Sequence, residues 1–360
     1  GFSSEVELRD WWLRLVSGIG SDTALFRRGV EQRFEASSHP ELAQQLVDLR
    51  GTVQEAVIDA GLDDYVHFLA PDRYNPALPV AENLLYATTQ GRMSEDVLRQ
   101  QDDFLDQLRE LNLDVDLVAL SRDVVEMLRQ IFGIDGTDHP LFRKLGLETS
   151  AYEGALALVD KTRNDGVSAL SHEELARLLI VPFSISAEQI GAAFSSEIEE
   201  RILAFRQSHS SQLMATLDDI FEPLDDRTFA PGLTVLENAL FGKVSDSAGG
   251  RAEEVQKLVS DVLVKNGVRD HVVELIFDLP IALGGQGLAA SFAEPLAFSR
   301  ASIKRPDILI LDAAMASYDL DTRIAIHKNL RQLLPDTTLI YLGSSFESPD
   351  VFDGYYELRQ

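Results

Sequence analysis

The sequence predicts an α/β chain with a large helical portion: a helical first half, then a short parallel sheet near the C-terminus. Three observations carry this. Apolar residues recur at helical spacing through most of the first 220 residues, as in Val97, Leu98, Phe104, Leu105, Leu108 and Leu111. Two short apolar runs, Ile308 to Leu311 and Leu339 to Leu342, flank a helix expected over about 321–334. Strand, helix and strand at this spacing predict parallel pairing, as in a βαβ unit.

The elements follow in order. The start, GFSSEVELRDWWLRL, is an acidic amphipathic helix in which Trp11 and Trp12 are expected to pack rather than to hold a cofactor. It does not read as a signal peptide. Ser94 is placed to cap the helix that carries Val97 to Leu111. Ser171 with Glu174, and Ser186 with Gln189, have the spacing of capping boxes ahead of apolar residues. Breaks are expected at Gly51, Pro71 to Pro79, Gly133 to Pro140, Pro182 and Pro223 to Gly232. Val255, Leu258, Val259, Val262 and Leu263 form a further helix stripe. A last strand, Tyr355 to Leu358, is expected to close the sheet. The chain accordingly divides into a helical segment (1–65), a helical region (66–220), a second helical part (221–305) and a strand-bearing end (306–360).

Composition narrows the chemistry. Carboxylates number 59 against 32 Lys and Arg, a net charge of −27 over 360 residues. That disfavours nucleic acid or an anionic membrane surface as partner through a broad basic face. There is no cysteine, so thiol catalysis and disulfides are excluded. The seven histidines are scattered, with no metal-like spacing, and no G-x-S-x-G elbow occurs. No apolar run approaches the roughly 20 residues of a membrane helix, so the chain itself is expected to be soluble.

One stretch echoes another. Asp72-Arg73-Tyr74-Asn75-Pro76-Ala77-Leu78-Pro79-Val80-Ala81-Glu82-Asn83-Leu84-Leu85-Tyr86 is similar to the segment from Asp226 to Phe241, and the two Glu-Asn pairs lie 155 residues apart. Either a module has been duplicated or a turn-plus-helix start has been reused.

The segment Leu233-Thr234-Val235-Leu236-Glu237-Asn238-Ala239-Leu240-Phe241-Gly242, the pair Gly284-Gly285, the run Ile308-Leu309-Ile310-Leu311-Asp312 and Ala316-Ser317-Tyr318-Asp319 together resemble the C-terminal part of an ABC-transporter ATP-binding domain of exporter type. The resemblance covers about 135 residues, from Phe221 onward. It implies a P-loop-NTPase-like parallel sheet, and it makes 66–220 a candidate repeat of the family's helical subdomain, 221–305 that subdomain and 306–360 part of the catalytic core. Asp312 then stands at the Walker B carboxylate, which holds Mg²⁺ through water when ATP binds, and Asp319 at the D-loop. Asp226 stands at the Q-loop, without a Gln.

The resemblance also shows departures. Counting back from Asp312 places the signature at Leu288-Ala289-Ala290-Ser291-Phe292 and makes Gly284 and Gly285 the preceding glycine pair. Choosing Leu283-Gly284-Gly285-Gln286-Gly287 instead shifts the following helix by five residues, about 140° off phase. In the first register the signature is degenerate: Ala289 has no hydroxyl and Phe292 no amide. The catalytic Glu position holds Ala313 and the switch His position Gly343. No G-x-x-x-x-G-K-[ST] loop occurs in the sequence, and Lys161-Thr162-Arg163-Asn164-Asp165-Gly166 is no substitute.

The resemblance implies the nucleotide-binding portion of a transporter at the cytoplasmic face of a membrane. Its partners would be a transmembrane domain and a second ATP-binding domain, its cofactors ATP and Mg²⁺ through the longer parent, with hydrolysis by this chain alone weak or absent. The alternative is a non-catalytic regulatory or protein-interaction module with an ABC-like fold.

Overall fold

Serine side chains set several helix starts. In a computed structural model, Ser4, Ser94, Ser171 and Ser186 each accept a hydrogen bond from a backbone N–H in the first turn, and the last two form full capping boxes with Glu174 and Gln189. The structure describes residues 2–89, 91, 93–132, 136–138, 142–191, 194, 196–217, 220–278, 290–312, 318–343 and 352–357.

Along the chain these residues form α1 (Glu5–Gly18), α2 (Asp22–Gly29), α3 (Pro40–Asp59), β1 (Val66–Phe68), α4 (Val80–Leu85) and β2 (Ala87–Thr89). There follow α5 (Glu95–Arg99), α6 (Asp102–Glu110), α7 (Leu113–Phe132), α8 (Thr149–Asp165), α9 (His172–Ser184), α10 (Ala187–Ile190) and α11 (Ser196–Met214). Then come β3 (Phe221–Pro223), α12 (Val235–Leu240), β4 (Gly242–Val244), α13 (Arg251–Lys265) and α14 (Arg269–Phe277). The last are α15 (Ala290–Ser302), β5 (Ile308–Asp312), α16 (Leu320–Leu333) and β6 (Thr338–Leu342). The helical first half and the two predicted C-terminal strands are therefore present.

The chain forms two units: residues 1–32 with 267–360, and residues 33–266. In the first, β5 and β6 pair in parallel, Ile308 opposite Thr338 through Asp312 opposite Leu342, with α16 as the connection. Leu309 and Leu311 point into a core with Trp11, Leu15, Ile19, Phe298, Ile326 and Leu330. Trp11 is thus a packing residue, and its indole N–H donates to the Ile303 carbonyl at 3.1 Å.

In the second unit α9 is the central helix, packed by α7, α8 and α5. Its Leu175, Leu178, Leu179 and Val181 join Leu105, Leu108, Val118 and Val124 in one continuous core. Two pairs of three-residue strands lie beside it, β1 with β4 and β2 with β3, both antiparallel.

Four expectations are corrected. The helix expected from Ser94 through Leu111 is two, α5 and α6, parted at Gln100 and Gln101. Gly51 does not break a helix: α3 runs through it. The roughly 1 kcal/mol that an interior glycine costs is outweighed by burial of Leu42, Leu46, Val53 and Val57 on the same helix. Pro182 lies inside the last turn of α9 rather than ending it earlier, held there by the buried stripe around it. Tyr355, Tyr356 and Glu357 form no strand, and Tyr356 is fully exposed, so nothing buries that segment against a neighbour; Leu358 lies outside the described residues.

Candidate functional site

The turn before β5 delivers the strand. Arg305 takes a left-handed conformation, φ 51°, ahead of Pro306, and its guanidinium lies over the Trp11 ring at 4.6 Å. The Thr337 hydroxyl donates to the Pro306 carbonyl at 2.6 Å and the Thr338 N–H to the Asp307 carbonyl at 2.8 Å, which registers β6 beside β5. Four apolar residues then alternate across the sheet. Asp312 ends β5 on the same face as Ile308 and Ile310, with an exposed side chain. A carboxylate is thereby presented at the C-terminal end of a parallel strand, where ligands of open α/β sheets bind.

Asp319 begins α16. One carboxylate oxygen accepts from the Thr322 N–H and the other from the Thr322 hydroxyl, both at 2.9 Å. These bonds hold its pKa below the usual Asp value, the backbone N–H first and the hydroxyl second. Both oxygens are engaged in capping the helix, a role that the Asp-x-x-Thr spacing of Asp319 and Thr322 signals in the sequence. Gly343 follows β6 and is exposed. Behind the sheet, the His327 ring nitrogen Nδ1 meets the Tyr341 hydroxyl at 2.9 Å, and burial pushes the Tyr341 pKa up to about 12.

The remaining predicted residues fall elsewhere. Gly284, Gly285, Leu288, Ala289 and Ala313 lie outside the described residues; Ala290, Ser291 and Phe292 form the first turn of α15. Asp226 belongs to the other unit, with its side chain exposed and its carbonyl accepting from Arg50 at 2.7 Å. Lys161 and Thr162 are interior residues of α8, Lys161 paired with Glu174 and Thr162 donating to the Val159 carbonyl.

These residues do not fit Mg-ATP by themselves. Asp312 offers one carboxylate, Asp319 is committed to Thr322, and no group of three His, Asp or Glu side chains could hold a metal ion among the described residues. Nor, among those residues, is any helix long and apolar enough to cross a membrane.

The chain is similar to ABC transporter ATP-binding proteins. An uncharacterised ABC transporter ATP-binding protein of Mycobacterium tuberculosis (strain ATCC 25618 / H37Rv) is 24% identical over 218 residues, 60% of this chain and 33% of the relative. Another, from Bacillus subtilis (strain 168), is 28% identical over 116 residues, 32% of this chain and 18% of the relative. An ABC-type transporter of Curvularia clavata is 24% identical over 130 residues, covering 35% and 10%. The match to the Mycobacterium relative thus spans about a third of that protein's length. No family model matches the chain, and no solved structure does.

Proposed function

We propose that this chain is the nucleotide-binding-domain portion of an ABC transporter, coupling ATP binding to solute transport, with a degenerate hydrolysis site. The observation that carries the reading is the parallel β5–α16–β6 unit ending its first strand on Asp312, in a chain similar to ABC transporter ATP-binding proteins. Asp312 is the residue that would hold Mg²⁺ through water. The phosphate-binding loop and the partner ATP-binding domain would come from the longer protein, at the cytoplasmic face of the membrane beside a transmembrane domain. Ala313 stands where the family has its general base. Such a loss lowers turnover by about 10²–10⁴-fold, or about 3–5 kcal/mol of barrier.

A second reading has its own observation. Asp319 is spent on capping α16, as befits a non-catalytic interaction module that keeps an ABC-like shape. The two readings separate on Asp312→Asn in the full-length protein. The transporter reading expects weaker Mg-ATP binding and impaired transport. Unchanged nucleotide affinity and transport would favour the interaction module.

A further inference from the structure

Residues 33–266 contain the same local structure twice, and each instance is completed by the other. Asn83 and Asn238 are fully buried. The Asn83 side-chain oxygen accepts from the Asn75 N–H at 2.9 Å, and its amide donates to the carbonyls of Asn75, Leu78 and Pro79. Asn238, 155 positions on, accepts from the Ala230 N–H at 3.0 Å and donates to the carbonyls of Ala230, Leu233 and Thr234. Every one of these partners is displaced by the same 155 residues. Tyr86 and Phe241, equivalent by the same shift, both close their helices in the left-handed region, at φ 50° and 45°, a conformation uncommon for aromatic side chains. The Leu69 N–H donates to the Phe241 carbonyl and the Leu224 N–H to the Tyr86 carbonyl, at 2.8 and 2.9 Å.

A locally reused turn would explain that much. It would not explain the arginines. Arg206 on α11 donates through Nε to the Asn83 carbonyl, through one terminal nitrogen to the Asn83 side-chain oxygen, and through the other to the carbonyls of Ala70, Pro71 and Arg73. Arg50 on α3 donates through Nε to the Asn238 carbonyl, and through its terminal nitrogens to the Asn238 side-chain oxygen and the carbonyls of Asp225, Asp226 and Thr228. Arg206 lies over the Tyr86 ring at 5.2 Å and Arg50 over the Phe241 ring at 4.1 Å. Each arginine stands 32 or 33 residues before the asparagine of its own stretch, yet binds the asparagine of the other. The strands cross in the same way, β1 with β4 and β2 with β3. The equivalent rings of Tyr74 and Phe229 each meet one further Phe outside the two copies, Phe194 and Phe34 respectively.

We propose that residues 33–266 are a fused pair of one module, helix–strand–loop–helix–strand, whose guanidinium socket is a self-complementary interaction surface that fits a second copy of the same module. The copies are residues 40–89 and 196–244. The socket is made of four carbonyls and one Asn oxygen that together accept from all three guanidinium nitrogens, so it selects the fork of an arginine over the point charge of a lysine. The module's own helix does not reach its own socket; the neighbouring copy's helix fills it. Residues 90–195 are the insertion that joins the copies. The copies have since diverged beside the socket: Thr234 and Lys243 flank Glu237 where Pro79 and Thr88 flank Glu82.

The test uses the full chain and reversible urea unfolding. Double-mutant cycles of Asn83→Ala with Arg206→Lys, and of Asn238→Ala with Arg50→Lys, should each show coupling of about tenfold or more in the unfolding constant. The uncrossed cycles, Asn83 with Arg50 and Asn238 with Arg206, should be additive within about twofold. Two exchange variants test equivalence: residues 74–86 replaced by the sequence of 229–241, and the reverse. Crosswise coupling with native helix content in either exchange variant upholds the fused pair. Additive crosswise cycles, or unfolding of both exchange variants, would overturn it.

Discussion

Glu82 and Glu237 hold equivalent positions and carry opposite electrostatics. At Glu237, burial pushes the pKa up, but Lys243 at 3.0 Å and the Thr234 N–H outweigh it, and the net shift is downward. At Glu82, burial pushes the pKa up, and Lys243 and Thr89 do not compensate. The signs follow by linkage. A lowered folded-state value stabilises above the ordinary Glu range and is lost as pH falls through it; a raised one destabilises at neutral pH and is relieved as pH falls. Glu237→Gln is therefore expected to lower the unfolding midpoint at pH 7, with the deficit shrinking below pH 4.5. Glu82→Gln should raise it at pH 7, with the gain shrinking as pH falls toward 4.5. Midpoints of both variants over pH 3–8 check this. For Asp319, whose pKa is lowered by Thr322, the same sign applies: Asp319→Ala should lower the midpoint at neutral pH, and Asp319→Asn should keep most of it, because Asn also caps helices well. At this scale the sequence was informative where a cap involves neighbours in the chain, as at Ser171 and Ser186. It was silent on Arg50 and Arg206, whose partners lie more than 120 residues away.

Among the elements, the long helices and the two five-residue strands were legible because their apolar spacing extends over several turns or alternations. The strands β1 to β4 were not, since three residues are too few to show a period, and their pairing is set by distant partners. Gly51 was misread because an interior glycine and a breaking glycine look alike without the buried stripe around them. A Cβ there meets nothing within 4 Å. Gly51→Ala should therefore stabilise the chain by about 0.5–1 kcal/mol, measured by denaturant unfolding. The sheet makes a second prediction. Leu311 is 6% exposed in the core of its unit, and Ile310, its neighbour in β5, is 59% exposed. Leu311→Ala should cost about 2–5 kcal/mol and Ile310→Ala less than about 1 kcal/mol. Equal losses would mean that both faces of β5 are covered.

For the whole molecule, similarity to ABC transporter ATP-binding proteins and the parallel strand pair agree on what kind of protein this resembles. The residues at the strand ends bear on what it can catalyse. Ile308, Ile310, Ile340 and Leu342 are exposed on one face of the parallel pair among the described residues, whereas parallel sheets are ordinarily covered on both faces. The resemblance implies departures at Ala313 and Gly343, and the Asp-x-x-Thr spacing of Asp319 and Thr322 already carries the signal of the cap that the structure forms. The most direct test of the account is phosphate release by the purified chain with Mg-ATP. No release above buffer is expected. Robust turnover that Asp312→Asn abolishes would contradict the degenerate site.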